Sequence, residues 1–404
     1  MTETTDTFRP PGLRPEAELL LWSARISPEE ERVAAIRALV AGGIDWDALL
    51  RLAMHNRIPT LLYQHLAAAR VDGVPPEIME RLGGFFHQVT VRNMYLAREL
   101  VALVDLFRTK GIEALPYKGP ILAQSLYGNL GLRQFWDLDI VVHKEDVLRV
   151  KDLLVERGYK PERELSRAEE TALLESDCEY NFDSDDGRVH LEIHWRILPQ
   201  PFVSRFDTRF VWDRAVTVDL VNTKTLTLPP EELFLILCMH GGDKHQWARL
   251  KWICDIARFI DTNRTIDWDQ VLKDAAILGK TKTVFFALHL AASLLGAECK
   301  GAVKTDGAKV SEMKARAGLV RARLFREDFG LPGFSEWLAY MYAGEERKGG
   351  GVSDLLRYLR VVMQPEFRDR YTLSLPPWLS FLSYPYRMWR LAREHKGDLI
   401  SRLR

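Results

Sequence analysis

Apolar residues recur at every third or fourth position in the first quarter of the chain, a spacing typical of amphipathic helices. Ser27 marks a helix start, because a serine can cap the first turn and Glu30 lies three residues later, where a capping box needs its acid. The helical pattern continues over Trp46–Met54, Pro76–Val89 and Val91–Lys110. These segments predict an N-terminal region built from helices.

The pattern changes after Gly111, where short apolar runs alternate with helical spacing. Ile112–Tyr117 predicts a strand, and a Lys-Gly-Pro sequence then opens a helix over Lys118–Tyr127, since proline is tolerated in the first helical turn. Asp137–Val142 is apolar and β-branched at its end, which indicates a buried strand, and Glu145–Arg157 is helical again. The order strand, helix, strand, helix predicts a small α/β unit.

Two further strands are predicted at Cys178–Phe182 and Arg188–Trp195, because Asp183–Gly187 between them ends in the Asp-Gly pair of a hairpin turn. From Pro229 to about residue 300 the spacing is helical again. Lys348–Gly351 indicates a flexible joint within the C-terminal region.

This order of elements predicts an α+β fold with four regions. Residues 1–15 are expected to form a flexible tail, and residues 16–110 an N-terminal helical region. Residues 111–228 hold a small mixed-sheet α/β core, which residues 229–404 flank with a C-terminal helical region.

The charge of the chain is balanced. Its 404 residues include 56 Lys and Arg and 56 Asp and Glu, so the formal net charge is zero. This balance disfavours an extended nucleic-acid-binding surface, although Arg387–Arg404 forms a mildly basic helical tail with six lysines and arginines against two acids. The hydrophobic content of 47% is that of a globular protein and excludes a disordered or collagen-like chain.

The cysteines and the apolar runs indicate the cellular compartment in which the protein is expected. Cys178, Cys238, Cys254 and Cys299 form no Cys-x-x-Cys pair, which excludes a disulfide scaffold and favours a reducing compartment. The N-terminus lacks the apolar core of a secretory signal. The longest mostly apolar run, Val284–Ala297, is shorter than the roughly 20 residues that cross a bilayer. We therefore expect a cytoplasmic protein with no membrane span.

An acidic pair opens the strand predicted at Asp137–Val142. Asp137 and Asp139 point to one face of the strand and Leu138 to the other, because strand side chains alternate. Two neighbouring carboxylates repel each other, and a divalent cation such as Mg²⁺ removes that conflict. The alternative is a pair of surface acids, but the apolar run Ile140–Val142 follows directly and places the pair at the end of a buried strand.

A third acid lies on the later strand. Glu192 shares its face with His190 and His194, while the intervening apolar residues form the other face. If this strand lies beside the acidic pair, Glu192 becomes a further metal ligand or a general base on an acceptor hydroxyl. The alternative is the polar face of a half-exposed strand. A zinc site at the two histidines lacks an evident third ligand.

Two segments could contact phosphate or a base. At the predicted strand-to-helix turn, Gly119 would let the backbone approach a phosphate and Lys118 would add a charge-assisted contact. Further on, His240 and Lys244 are four residues apart and share a helix face, in a segment with a glycine pair that favours a break near a site. The alternatives are an exposed helix start and a surface helix anchored by tryptophans.

Together these motifs resemble the polymerase-β-type nucleotidyltransferase superfamily and, more narrowly, an uncharacterised group of bacterial nucleotidyltransferase family proteins. The resemblance is specific over residues 111–200 and rests on Tyr117–Gly119, Leu132–Val142 and Leu191–Trp195. It implies a nucleotidyltransferase core within the predicted α+β fold.

The resemblance implies transfer of a nucleoside monophosphate from a nucleoside triphosphate to a hydroxyl of a small molecule or peptide, with release of pyrophosphate. Asp137 and Asp139 would hold Mg²⁺, or Mn²⁺, against the triphosphate, and Glu192 matches the third acid. The nucleotide contacts implied or suggested in this way are Lys118, Gly119, Arg133, His240 and Lys244.

The chain departs from the superfamily at the first helix, where the usual Gly-Ser is replaced by Lys118-Gly119-Pro120. Either Lys118 and Arg133 take over the role of the serine hydroxyl, or triphosphate binding is altered. A weakened nucleotide- or protein-binding module on the same fold and an RNA-modifying nucleotidyltransferase are therefore alternatives. A glycosyltransferase with an Asp-x-Asp motif is disfavoured, because a helical region precedes the motif here.

Overall fold

The structure is a computed structural model that describes residues 12–196, 209–298, 307–326, 379 and 382–394. Most of the expected flexible tail, Cys299, the expected joint at Lys348–Gly351 and the end of the basic tail, residues 395–404, lie outside the described residues.

The N-terminal region is helical, as its sequence pattern predicts. Its helices are α1 (Pro15–Trp22), α2 (Glu29–Ala41), α3 (Trp46–His55), α4 (Pro59–Ala69) and α5 (Pro76–Thr109). The prediction of two separate helices between Pro76 and Lys110 is wrong, because α5 is one continuous helix of 34 residues. No proline interrupts it, and the hydroxyl of Thr90, at the expected break, donates to the carbonyl of Phe86 within the helix.

The mixed sheet follows, with its helices in between. The strands are β1 (Ala114–Pro116), β2 (Asp137–Val142), β3 (Tyr159–Pro161), β4 (Glu179–Ser184) and β5 (His190–His194); the helices are α6 (Gly119–Tyr127), α7 (Val147–Glu156) and α8 (Arg167–Ser176). The strand order is β1-β2-β5-β4-β3. Only the β2–β5 pairing among these five strands is parallel. This confirms the prediction that the strand of Glu192 lies beside the strand of the acidic pair.

The predicted capping box at Ser27 is wrong. Helix α2 starts after Pro28, no side chain caps it, and the hydroxyl of Ser27 has no hydrogen-bond partner. The carbonyl of Ser27 instead accepts from the guanidinium of Arg32. A capping box is present at the start of α8, between Ser166 and Glu169. The sequence motif alone does not determine whether a capping box forms, because the backbone before the helix must also adopt the capping geometry.

A second, smaller hairpin was not predicted. After α9 (Arg209–Asp213), strands β6 (Val216–Leu220) and β7 (Thr223–Thr227) pair antiparallel. The hydroxyl of Thr227 donates to the carbonyl of Pro116 at 2.6 Å, which fastens the hairpin beside β1.

The predicted helical spacing after Pro229 is confirmed. The helices are α10 (Pro230–Met239), α11 (Leu250–Thr262), α12 (Trp268–Ile277), α13 (Thr281–Leu295), α14 (Gly307–Leu324) and α15 (Ser383–Glu394), and a π-helical turn at His240–Lys244 follows α10. None of the described helices combines the length and apolar character that crossing a membrane requires.

The apolar core leaves one face of the sheet for polar groups. On the buried face, Leu138, Ile140, Leu191 and Ile193 pack with apolar residues of α5 and α7. A separate apolar cluster joins the N-terminal helices to α10–α13. The fold is therefore α+β, with a small mixed sheet flanked by helices. The polar residues of β2 and β5 lie on the face opposite Leu138.

Candidate active site

The acidic residues meet on two parallel strands. Asp139 lies directly beside Glu192, and Asp137 beside His190, in the register of β2 against β5. Asp139 is only 2% exposed, whereas Asp137 and Glu192 are half-buried. Parallel register sends neighbouring side chains to the same face, so Asp137 and Asp139 share one surface with Glu192, which lies more than fifty positions later in the chain.

Lys118 neutralises the most buried of these carboxylates. Its ammonium nitrogen lies 2.6 Å from Oδ1 of Asp139, just before α6. Burial alone would raise the pKa of Asp139, but Lys118 and His194 hold that pKa well below its usual range. Burial alone would lower the pKa of Lys118, yet Asp139 raises it well above its usual value. Both groups are therefore charged at neutral pH, and each charge stabilises the other in its buried position.

Gly119 lets the start of α6 approach β2. Its φ is +47°, in the left-handed region, and a Cβ at this position would lie 3.0 Å from the carbonyl oxygen of Asp137. A residue with a side chain would therefore meet both backbone strain and a close contact. The Lys-Gly turn is the local reason that Lys118 reaches Asp139.

His194 is a site residue that sequence reasoning set aside. Its Nε2 lies 3.4 Å from Oδ1 of Asp139 and 3.3 Å from Oε2 of Glu192, and its Nδ1 lies 3.6 Å from Oε2 of Glu179. These approaches lack hydrogen-bond geometry, so within the described part of the chain neither buried ring nitrogen has a hydrogen-bond partner. Burial would lower the pKa of His194, but the nearby Tyr117, Asp139, Cys178 and Glu192 raise it well above its usual value. The feature of the sequence that could have identified His194 as a site residue is its position two residues after Glu192, on the same strand face.

These groups fit a divalent cation. Ligand atoms of Asp139, Glu192 and His194 all lie within 4.8 Å of one another, and Oδ2 of Asp139 is buried without a hydrogen-bond partner. Asp137 lies outside that group of three. A second group joins Cys178 and Glu179 to the same histidine. Carboxylate and imidazole ligands of this kind suit Mn²⁺ and other transition metals as well as Mg²⁺.

Asp137 is the half-buried member of the acidic pair, whereas Asp139 is buried. Burial raises its pKa, and the negative charges of Asp139 and Glu192 raise it further. Lys118 and Lys251 act in the opposite direction. Lys251, near the start of α11, also donates to the carbonyl of Gln134 at 3.0 Å.

The π-helical turn brings His240 close to this centre. Burial puts the pKa of His240 well below its usual value, and the nearby Lys118, His245 and Lys244 lower it further. The ring of His240 lies 4.6 Å from that of His245, which stacks on Trp252 at 4.2 Å. Lys244 is exposed, and its charge acts on Glu179 across the site.

The glycine pair after His240 has a packing explanation. A Cβ on Gly241 would lie 2.4 Å from the ring of Trp247, and one on Gly242 would lie 3.1 Å from Thr283. Trp247 is 1% exposed. The glycines therefore let a buried tryptophan close the π-helical turn, which in turn positions His240.

The guanidinium of Arg133 binds a carboxylate outside the acidic group. Its Nε and Nη2 donate to the two carboxylate oxygens of Asp255 at 2.8 and 2.9 Å, and the hydroxyl of Tyr127 donates to the same carboxylate. Arg133 is 7% exposed, and Asp255 1%. The structure thus brings together Asp137, Asp139, Glu192, Lys118, Gly119 and His240, while the guanidinium of Arg133 is bound to α11.

One family model matches the chain. Residues 42–296, from just before α3 to the end of α13, match a family described as uncharacterised nucleotidyltransferase. No curated protein matches the chain. The matched segment covers well over half of the sequence and contains the whole sheet with its acidic face, so the protein belongs to this nucleotidyltransferase family.

Proposed function

We propose that the protein transfers a nucleoside monophosphate from a nucleoside triphosphate to a hydroxyl of a small molecule or peptide and releases pyrophosphate. The observation that supports this best is the parallel register of β2 and β5, which sets Asp139 beside Glu192 close to the start of α6. Family membership supports nucleotidyl transfer in general. The kind of acceptor is our proposal.

In the proposed reaction the acceptor hydroxyl oxygen attacks the α-phosphorus. The bond from the α-phosphorus to the oxygen that bridges to the β-phosphate breaks, and pyrophosphate leaves. The hydroxyl proton passes to Oε1 of Glu192. The other oxygen, Oε2, lies 3.3 Å from Nε2 of His194.

Lys118 and Gly119 would receive the triphosphate. The N-terminus of α6 favours negative charge, and Lys118 lies at the N-cap of that helix. A phosphate oxygen would give Lys118 a second anionic partner besides Asp139. His240 and Lys244, on the π-helical turn, would contact the base or a phosphate from the other side.

We assign the metal to Asp137, Asp139 and Glu192, with His194 as an additional nitrogen ligand. When bound, Mg²⁺ or Mn²⁺ would supply the positive charge that stabilises the phosphate oxygens and the departing pyrophosphate. We give Arg133 a positioning role rather than a phosphate contact, because Asp255 occupies its guanidinium.

Transfer can be tested with the full chain and each α-³²P-labelled nucleoside triphosphate, in Mg²⁺ or Mn²⁺, with an extract of the native host as the source of acceptor. We expect label to enter one acceptor with release of pyrophosphate. Asp139→Asn and Glu192→Gln should each reduce transfer by about a hundredfold or more, as losses of catalytic groups do. The matched control is Asp185→Asn, since Asp185 is an exposed acid before β5.

Glu192→Gln decides the test, because Asp139→Asn also removes the partner of Lys118 and could unfold the chain. A Glu192→Gln variant with native circular dichroism and undiminished transfer would overturn the proposal.

One observation favours a second candidate, a nucleotide-binding module with little turnover. The ion pair between Lys118 and Asp139 places a lysine on a carboxylate that catalysis would give to a metal. Metal-dependent nucleotide binding without pyrophosphate release, under every acceptor condition, would favour this second candidate.

A further inference from the structure

A group of cations surrounds an exposed tryptophan next to Asp137. We call Arg57, Arg92, Arg249 and Lys251 the basic cluster. The guanidinium carbon of Arg92 lies 3.8 Å from the ring centre of Trp136, and that of Arg57 lies 5.7 Å from it.

The basic cluster is drawn together by three elements far apart in the sequence. One member follows α3, one lies on α5 and two lie at the start of α11. The charge of Arg57 lowers the pKa of both Arg249 and Lys251, in addition to the larger effect of burial. These cations are therefore close enough to repel one another.

The basic cluster has no carboxylate of its own. Within the described part of the chain, no member forms an ion pair within 4 Å with an acidic side chain. Instead, Arg92 donates to the carbonyl of Phe135 at 3.3 Å, Lys251 to that of Gln134, and Arg249 to that of His55. Carbonyls orient these groups but do not neutralise them.

Repelling cations that are half-buried and held by carbonyls cost free energy unless an anion compensates them. The charge of Asp137 acts on both Arg92 and Lys251. Asp255 also acts on Lys251, but its carboxylate is already paired with Arg133. Because Asp137 belongs to the acidic group, the basic cluster faces the candidate active site. Guanidinium groups match phosphate oxygens in shape and charge.

We propose that the basic cluster binds a phosphate or polyphosphate group of a substrate, adjacent to Asp137. The group is either the polyphosphate tail of the nucleotide or a phosphate carried by the acceptor. Trp136, which is 51% exposed, is a positioning residue that contacts two guanidiniums and leaves for the ligand those of their N–H groups that no carbonyl accepts. The inference rests on the proposed function only for the naming of these two substrates.

The test is calorimetric binding of inorganic tripolyphosphate, inorganic phosphate and ATP to the full chain. We expect Arg57→Gln and Arg92→Gln to weaken tripolyphosphate binding at least tenfold. The matched control is Arg51→Gln, which removes one exposed positive charge from α3 outside the basic cluster, and should change affinity less than twofold. Trp136→Ala should weaken binding, and Trp136→Phe should restore it, which a merely structural loss would not do.

The ATP arm distinguishes the two sources. If the basic cluster takes the nucleotide tail, the same variants weaken ATP binding and tripolyphosphate competes with ATP. If it takes a phosphate of the acceptor, ATP binding is unchanged and tripolyphosphate binds together with ATP. Equal tripolyphosphate affinities for Arg57→Gln, Arg92→Gln and the Arg51→Gln control would overturn the inference. Because binding needs no turnover, a chain that binds through the basic cluster but never transfers a nucleotide contradicts only the proposed function.

Discussion

The ammonium of Lys118 lies 2.6 Å from the buried carboxylate of Asp139, and the side chain of Lys118 is itself only 13% exposed. This pair sets the charge of the candidate site before any substrate binds. A metal ligated by Asp139 must share the carboxylate with Lys118 or displace it. Lys118 therefore changes the electrostatics of the centre, whatever phosphate contacts it makes.

Lys118→Met should make the stability of the protein depend on divalent metal. Removing one partner of a buried ion pair costs about 3 to 5 kcal/mol, because the remaining charge stays buried. We expect a loss of this size in urea unfolding with EDTA, and partial recovery with Mn²⁺, which would take the place of the ammonium beside Asp139. The control is Lys144→Met at an exposed pair with Glu175, where the loss should be below about 1 kcal/mol. Unchanged stability of the Lys118 variant in EDTA would contradict this account.

Gly119→Ala should destabilise the protein by about 1 to 3 kcal/mol, since its φ of +47° and the 3.0 Å approach to the Asp137 carbonyl both oppose a Cβ. Chemical denaturation provides the measurement. Gly84→Ala, in α5 with open space around the position, should be neutral or stabilising by about 1 kcal/mol. If the two alanine variants behaved alike, the turn at Gly119 would not need glycine.

Arg133→Met should act on stability through Asp255. The expected loss is about 3 to 5 kcal/mol in the free energy of unfolding, because Asp255 would remain buried with only Tyr127 as a partner. The double variant Arg133→Met with Asp255→Leu should recover part of this loss, as a double-mutant cycle can show. Additive losses from the two single changes would show that the pair is not coupled.

His194→Asn should weaken Mn²⁺ binding about tenfold or more, with a smaller effect on Mg²⁺, since an imidazole nitrogen suits Mn²⁺ better than Mg²⁺. Isothermal titration with each metal measures this. His190→Asn is the matched control, because His190 shares the strand face but is paired with Asp183 and is 37% exposed. Equal Mn²⁺ affinity for the two variants would remove His194 from the ligand set.

His65 should make the protein less stable in acid. Burial, followed by the charges of Arg32 and Arg258, lowers the pKa of His65 to about 3, so the folded state keeps it neutral. An unfolded chain protonates the same histidine near its ordinary pKa of 6.5. Its contribution is therefore complete above pH 6.5 and is lost as the pH falls toward 3, at up to about 1.4 kcal/mol per pH unit.

The measurement for His65 is urea unfolding at pH 7 and pH 4.5 for the wild type and His65→Gln. Glutamine keeps an acceptor for Arg32, whose Nη1 lies 3.2 Å from Nδ1 of the histidine. We expect the difference in stability between the two pH values to be smaller in the variant. A difference of the same size in both proteins would mean that other groups cause the acid sensitivity.

Local sequence patterns are enough to show which chemical groups share a strand face. Alternation along an extended backbone places Asp137 with Asp139 and Glu192 with His194, whatever the strands pack against. The Lys-Gly-Pro turn likewise predicts where α6 begins. These inferences succeed because they depend on backbone geometry over a few residues. The same local reasoning failed at Ser27, where a capping motif is present but the backbone makes no cap.

The ion-pair partners of the buried charges follow from long-range packing and cannot be read from local patterns. Asp139 pairs with Lys118, which lies 21 positions away, and Arg133 pairs with Asp255, 122 positions away. Arg133 was predicted as a phosphate contact because the sequence shows the charge of a side chain. The sequence does not show which residue that side chain pairs with. Which cation reaches which carboxylate depends on how α6 and α11 pack against the sheet, and long-range packing of this kind leaves no periodic pattern in the chain.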